Sequence, residues 1–293
     1  MQSSPTIQAI LFCAVCAAGA HAGVIRHDVD DALYRGLAQQ DQFSSVGRLN
    51  ITSDSGSIQC SGTLLNDQWI LTAAHCVDDS FNSITFAGAE GFGAVEEVVI
   101  NPDWVRNDFF AGGDLALLRL SNPVQSANQA QIYGGTDEIG QVGTIVGYGR
   151  TGTGLTGHFG TSAAFRAGHN TIDVLGTERG WSDRILLTDF DSPLNANESN
   201  YGDSEPLDLE YSIAPGDSGG AMFVLTEAGW QIAGVSSFIN STDGNPNGDY
   251  GDSNGFTRVS AYQDWINSVV PTPGSMTMLA MGLGLGARRR RMS

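Results

Sequence analysis

The chain has 293 residues, 41% of them hydrophobic, and its 32 acidic against 14 basic residues give a net charge of −18. All the bases are arginine, and there is no lysine. This apolar content excludes a wholly disordered chain, and so acidic a surface disfavours nucleic acid or an anionic membrane as partner.

Residues 1–22 read as an export signal. An apolar run from Ala9 to Ala20 ends in Ala20-His21-Ala22, a small-x-small cleavage site that makes Gly23 the expected mature start. Cleavage there removes Cys13 and Cys16 and leaves Cys60 and Cys76. In an oxidising compartment a lone pair of cysteines is expected to form one disulfide, worth about 3 kcal/mol for a loop of this length. A two-cysteine metal site is the competing reading, but no second Cys/His cluster stands nearby, so no metal is assigned to the pair.

Residues 23–270 form one region without low-complexity linkers. Strand-like runs recur at Ser45–Ile51, Trp69–Ala74, Ser83–Gly88, Glu96–Ile100, Leu115–Leu120, Thr144–Gly149, Arg184–Phe190, Ala221–Leu225, Trp230–Phe238 and Gly255–Val259. Short strands at this spacing predict an all-β barrel or sandwich. One segment differs. Tyr262, Trp265, Ile266 and Val269 recur at helical spacing, and Ser260 followed by Gln263 predicts a capping box at the start of a C-terminal helix.

Three stretches carry chemistry. LTAAHC holds His75, GGDLALLRL holds Asp114, and APGDSGGAM holds Ser218. A serine hydroxyl needs a neighbouring base, a histidine has the right proton affinity for that task, and a buried carboxylate fixes the histidine tautomer. Gly216 lets the backbone turn two N–H groups towards a developing oxyanion, while Gly219 and Gly220 leave room for close packing. The order His, Asp, Ser differs from the Ser, acid, His order of the α/β-hydrolases. Each stretch alone is weak evidence. Together they point to a nucleophilic hydrolase.

With CSGTLLNDQWILTAAHC, GDLALLRL, VGYGR, PGDSGG and AYQDWI in that order, the chain resembles the chymotrypsin/trypsin-like serine peptidases over most of 45–270. The resemblance implies an all-β fold of two packed six-stranded antiparallel β-barrels with a C-terminal helix. It implies peptide-bond hydrolysis through an acyl-enzyme. His75 is then general base and acid, Asp114 its orienter, Ser218 the nucleophile, and the N–H groups of Gly216 and Ser218 the oxyanion hole. The disulfide Cys60–Cys76 matches one that brackets the family's histidine. Ser212 falls at the base of the primary pocket, with Ser237, Phe238, Ile239 and Asn254 on its walls. No acid stands at Ser212 to recruit Arg or Lys, and Ile239 narrows the mouth, so a small or medium uncharged side chain is expected. Two departures matter. Ala214 replaces a disulfide cysteine beside the nucleophile loop, and the family's Ile-Val-Gly-Gly type terminus is absent. Asp217 is expected to form an activating ion pair with a new α-ammonium, at Gly23, Val24 or Ile25; a side-chain partner is the alternative.

The acidic loops at Asp189–Glu210 and at Asp243, Asn245, Asn247 and Asp249 read as solvated turns, with calcium the alternative and no other cofactor expected. At the C-terminus a Pro-Gly break, an apolar stretch from Met276 to Ala287 and arginines 288–291 resemble the PEP-CTERM sorting tails of Gram-negative envelope proteins. Thr272 stands there in place of the usual acid. The expected protein is a monomeric exported endopeptidase acting on proteins or peptides, its tail engaging envelope sorting machinery. The rival reading is an inactive trypsin-like binding or adhesion module.

Overall fold

The computed structural model describes residues 23–124, 128–160 and 164–271. The expected signal peptide and nearly all of the expected sorting tail lie outside the described residues. The chain opens with a short strand, β1 (Gly23–Ile25), and a helix, α1 (Asp31–Ala38). Six strands follow: β2 (Val46–Ser53), β3 (Gly56–Leu64), β4 (Trp69–Thr72), β5 (Ser83–Gly88), β6 (Gly91–Ile100) and β7 (Ala116–Leu120). They close into a barrel in the order β2-β3-β4-β7-β6-β5. Leu49, Leu64, Ile70, Phe86 and Leu118 are fully buried, and each contributes about 1.5–3 kcal/mol of apolar burial.

Antiparallel pairing of Thr72 with Ala116 sets the end of β4 beside the start of β7. His75 follows the one and Asp114 precedes the other. The barrel itself therefore brings these two residues to one end.

The second half contains β8 (Gln131–Ile132), β9 (Val142–Gly147), β10 (Thr151–Thr153), β11 (Gly157–Phe159), β12 (Arg166–Thr171), β13 (Val174–Leu175), β14 (Ile185–Asp189), β15 (Tyr211–Ser212), β16 (Ala221–Thr226), β17 (Gly229–Asn240) and β18 (Ser253–Arg258). The main sheet runs β12-β9-β16-β17-β18-β14-β13 and curls into a half-barrel. No backbone ladder joins β12 to β14. Instead Asn170 Nδ2 donates to the carbonyls of Asp189 and Tyr211, stitching that seam with one buried side chain.

A smaller sheet, β11-β10-β1-β15, places β1 between two strands that follow it by more than a hundred residues. All of β1 is buried. Helix α1 is capped by Asp30, whose carboxylate accepts from the Ala32 N–H, and Asp31 pairs with the fully buried Arg166.

The C-terminal helix, α2 (Gln263–Val269), exists as the periodicity predicts, but the capping box does not. A tight turn at Val259–Tyr262 precedes it, and no side chain caps its start. Ser260 Oγ donates instead to Glu138 Oε1 at 2.7 Å. Glu138 is fully buried against Arg258, and its unfilled acceptor site outcompetes a helix end that water can reach. Tyr262 OH reaches back to the carbonyl of Gly112, tying this helix to the loop that carries Asp114.

Candidate active site

His75 lies in a single turn, Ala74–Cys76, directly after β4. The disulfide from Cys76 to Cys60 on β3, with Cα atoms 6.4 Å apart, holds that turn to the barrel. Asp114 is fully buried. Its Oδ2 faces His75 Nδ1 at 2.7 Å and accepts from Ser237 Oγ at 2.5 Å, while Oδ1 accepts from the His75 main-chain N–H at 2.9 Å. Thr257 Oγ1 donates to the Asp114 carbonyl. The carboxylate thus fixes both the ring and the backbone of the histidine. An acceptor at Nδ1 places the proton there and leaves Nε2 free to act as a base.

Ser218 sits half-buried at the tip of the loop before β16. The N–H groups of Asp217, Gly219 and Gly220 are engaged, donating to Ala214, Ser236 and Asp217 carbonyls. Those of Gly216 and Ser218 make no hydrogen bond among the described residues, the arrangement an oxyanion requires. Gly216 has φ +106°, a conformation that a side chain would oppose. His75 and Ser218 share no hydrogen bond in this state, yet both rest against Cys76. Its Sγ is 3.8 Å from His75 Nε2 and 3.8 Å from the Ser218 carbonyl. Such a contact commonly tightens only once substrate is bound.

Sequence reading missed Ser61. Its N–H donates to the Ser218 carbonyl at 2.8 Å, and its hydroxyl donates to the Gly216 carbonyl and accepts from the Tyr148 N–H. One residue of the first barrel therefore fixes the Ser218 loop of the second half. No local pattern distinguishes it from any other strand serine.

The cavity beside Ser218 is lined by Ile213, Ala214, Ser237, Phe238, Ile239 and Pro246. Ser212 and Asn254, expected at its base and wall, lie behind this lining. Both are fully buried, and Ser212 Oγ donates to Asn254 Oδ1 at 2.9 Å. Burying two polar groups is tolerable when they satisfy each other, so both withdraw from the cavity. Ser237 serves twice, as wall and as donor to Asp114. Where the family has a disulfide, the Ala214 N–H donates to Asp217 Oδ2 at 2.9 Å.

Asp217 is fully buried, and burial pushes its carboxyl up to about 7. Donors at Ala214 N, Gly149 N and Tyr211 OH oppose that rise, as does the charge of Arg166. Arg166 itself pairs with Asp31. Gly23 stands close by. A Cβ built on it would fall 1.9 Å from Tyr211 OH, the group that donates to Asp217. With φ +68° as well, only glycine fits there.

In the Asp243 loop the side chains are spent on local turns: Asp243 Oδ1 accepts from Asn245 N–H and Ser241 Oγ, and Asn247 Oδ1 from Asp249 N–H. These bonds close a tight local turn.

A sequence model described as Trypsin matches residues 37–266. The chain is 28% identical over 227 residues to "Chymotrypsin-like elastase family member 1" of Rattus norvegicus, covering 72% of this chain and 78% of that protein. It is 30% identical over 234 residues to the protein of the same name from Canis lupus familiaris, covering 72% and 81%. A solved structure of HL collagenase superposes with a TM-score of 0.58 at 22% identity, over 86% of this chain and all of that one.

Proposed function

We propose, from the premise that this chain belongs to the trypsin family, that it is an exported serine endopeptidase working through an acyl-enzyme. The observation that carries this reading is the buried Asp114 bonded to both the ring and the backbone of His75, at the end of the cleft where Ser218 stands. Ser218 Oγ attacks the scissile carbonyl as His75 Nε2 takes its proton, and Asp114 stabilises the imidazolium so formed. The negative oxygen is met by the N–H groups of Gly216 and Ser218. His75 then returns the proton to the leaving amine, and water repeats the sequence to release the acid. A fluorophosphonate probe should label the mature protein and not Ser218→Ala. Absent labelling, or equal labelling of the two, would leave only a binding module.

The pocket favours a small or medium apolar side chain in the substrate. Ile213, Ile239 and Pro246 fill it with hydrocarbon, and no charged group lines it. The elastase name of the relatives agrees with that preference. Ile239→Gly should widen the mouth and shift kcat/KM from alanine-type towards leucine- or phenylalanine-type substrates by roughly 10–100-fold. An unchanged ratio across a chromogenic peptide series would remove Ile239 from the specificity wall.

The mature terminus at Gly23 would supply the ammonium that Asp217 calls for, since Gly23 already lies against Tyr211. Protein or peptide substrates, export, a monomeric state and a sorting role for the tail complete the reading. No helix among the described residues is long and apolar enough to cross a membrane.

A further inference from the structure

Between β14 and β15 the chain gathers buried acid without a cation. Asp189 and Glu210 are each 2% exposed and Asp191 is 7% exposed. No ion pair relieves any of them among the described residues. Buried carboxylates held this way are costly unless something positive joins them.

Two observations say where that charge would sit. Asp191 Oδ1 is buried with no hydrogen-bond partner, on a side chain that faces Asp189 and Ser199. Around Ser199 Oγ stand Asp189 Oδ2 at 3.2 Å, the Tyr201 carbonyl at 3.0 Å and the Asp203 carbonyl at 3.1 Å. A hydroxyl has one proton and can serve one of these three oxygens. Asp189 Oδ2 also accepts from the Asn200 and Tyr201 N–H groups, so the shortfall falls on the two carbonyls and on Asp191 Oδ1, an excess of acceptors that a cation would absorb.

We propose that this loop is a calcium site, with oxygen ligands from the Asp189 and Asp191 carboxylates, Ser199 Oγ and the main-chain carbonyls of Tyr201 and Asp203. The donors are all oxygen, which suits a hard cation and offers nothing to zinc or copper. They come from an irregular loop and include two carboxylates; among the described residues no group of three His, Cys, Asp or Glu side chains is placed to hold a metal by itself. That mixture fits the larger, geometrically tolerant calcium ion better than magnesium, with affinity on the order of the 10⁻⁴–10⁻³ M of extracellular modules. The site lies just ahead of Tyr211 and Ser212, and Asn200 Nδ2 donates to the Gly251 carbonyl of the neighbouring pocket loop. Bound calcium would therefore brace the back of the primary pocket. The proposal does not depend on the catalytic reading, and its test reads binding alone.

Calorimetric titration of CaCl2 into the EDTA-stripped mature protein should show one ion bound, and a hundredfold excess over Kd should raise Tm by about 5–10 °C. MgCl2 at the same concentration should not. Asp191→Asn should lose the calcium response while its Tm in EDTA at mildly alkaline pH equals or exceeds that of the parent, because a buried unpaired charge has gone. Ser199→Ala should bind at least about tenfold more weakly, since it loses one ligand. Asp243→Asn should respond as the parent does. No heat of binding at millimolar CaCl2, or full binding by a folded Asp191→Asn, overturns the proposal; so does loss of binding in Asp243→Asn alone.

Discussion

Replacing Asp114 with Asn is expected to lower kcat by about 10⁴-fold, the loss that the wrong histidine tautomer causes in a triad of this kind. The present geometry says why. Both carboxylate oxygens act only as acceptors: Oδ2 from His75 Nδ1 and Ser237 Oγ, Oδ1 from the His75 N–H. An amide has one acceptor and one donor end. If its oxygen keeps the backbone N–H, its NH2 faces Nδ1, and the ring must carry its proton on Nε2. Nε2 then cannot accept from Ser218. If the amide flips, its NH2 opposes the His75 N–H, and the turn carrying the histidine must move. Either way the base is lost, while Ser237 can rotate to accept and keep the core bonded. Peptide-anilide kinetics with parallel thermal unfolding measure this. A folded Asp114→Asn within tenfold of the parent would mean that Asp114 does not set the tautomer. Ser218→Ala should lose more, on the order of 10⁶-fold, and the double variant little beyond that, because the residues act as one unit.

The His75–Asp114 pair was legible in the sequence because each residue sits in its own local pattern, and because barrel pairing needs only β4 and β7 to meet. The missed parts are those that depend on distant partners. Strand β1 has three residues, too few to show alternation, and its burial requires β10 and β15. Strand β3 reads GSIQCSGTL, polar at Ser57, Gln59 and Ser61, so its apolar period is faint. Its polar positions are explained only across the cleft: Ser61 holds the nucleophile loop, and Gln59 Nε2 donates to the Tyr148 carbonyl at 2.5 Å. Ser212 and Asn254 were placed near the pocket but not out of it, because their mutual bond spans 42 positions. Ser260 was drawn from its predicted cap by Glu138 over a still longer interval. The all-β class survives such misses since it rests on many strands at once. A side chain's bonding partner rests on one, and the closing of the second half by Asn170 has no signature in the periodicity.

A protein extended by even two residues before Gly23 should be about 10²–10³-fold less active than one with a free Gly23 amine. Leaving a buried carboxylate without its cation costs about 3–5 kcal/mol, and each 1.4 kcal/mol is tenfold in the population of the competent pocket. The two forms should also differ in the sign of their pH response. In the extended form the Asp217 carboxyl is raised to about 7, above its unfolded value near 3.8. The folded state then holds a proton that the unfolded state gives up. That contribution to stability is fully present below about pH 4 and is lost as pH rises through about 7. With a free terminus the charge pair keeps Asp217 ionised, and activity should instead hold through neutrality and fall as the amine, ordinarily near 7.7–8.0 and raised by its partner, loses its proton. Other raised carboxyls, such as those of Asp173 and Asp191, are common to both forms, so the difference between them isolates Asp217. Asp217→Asn removes the difference, because an amide neither pairs with the ammonium nor titrates. Measured kcat/KM and Tm from pH 5 to 9 for the two forms decide the matter. Coincident profiles would return Asp217 to a side-chain partner, with Arg166, whose charge already acts on it, the cation to supply it.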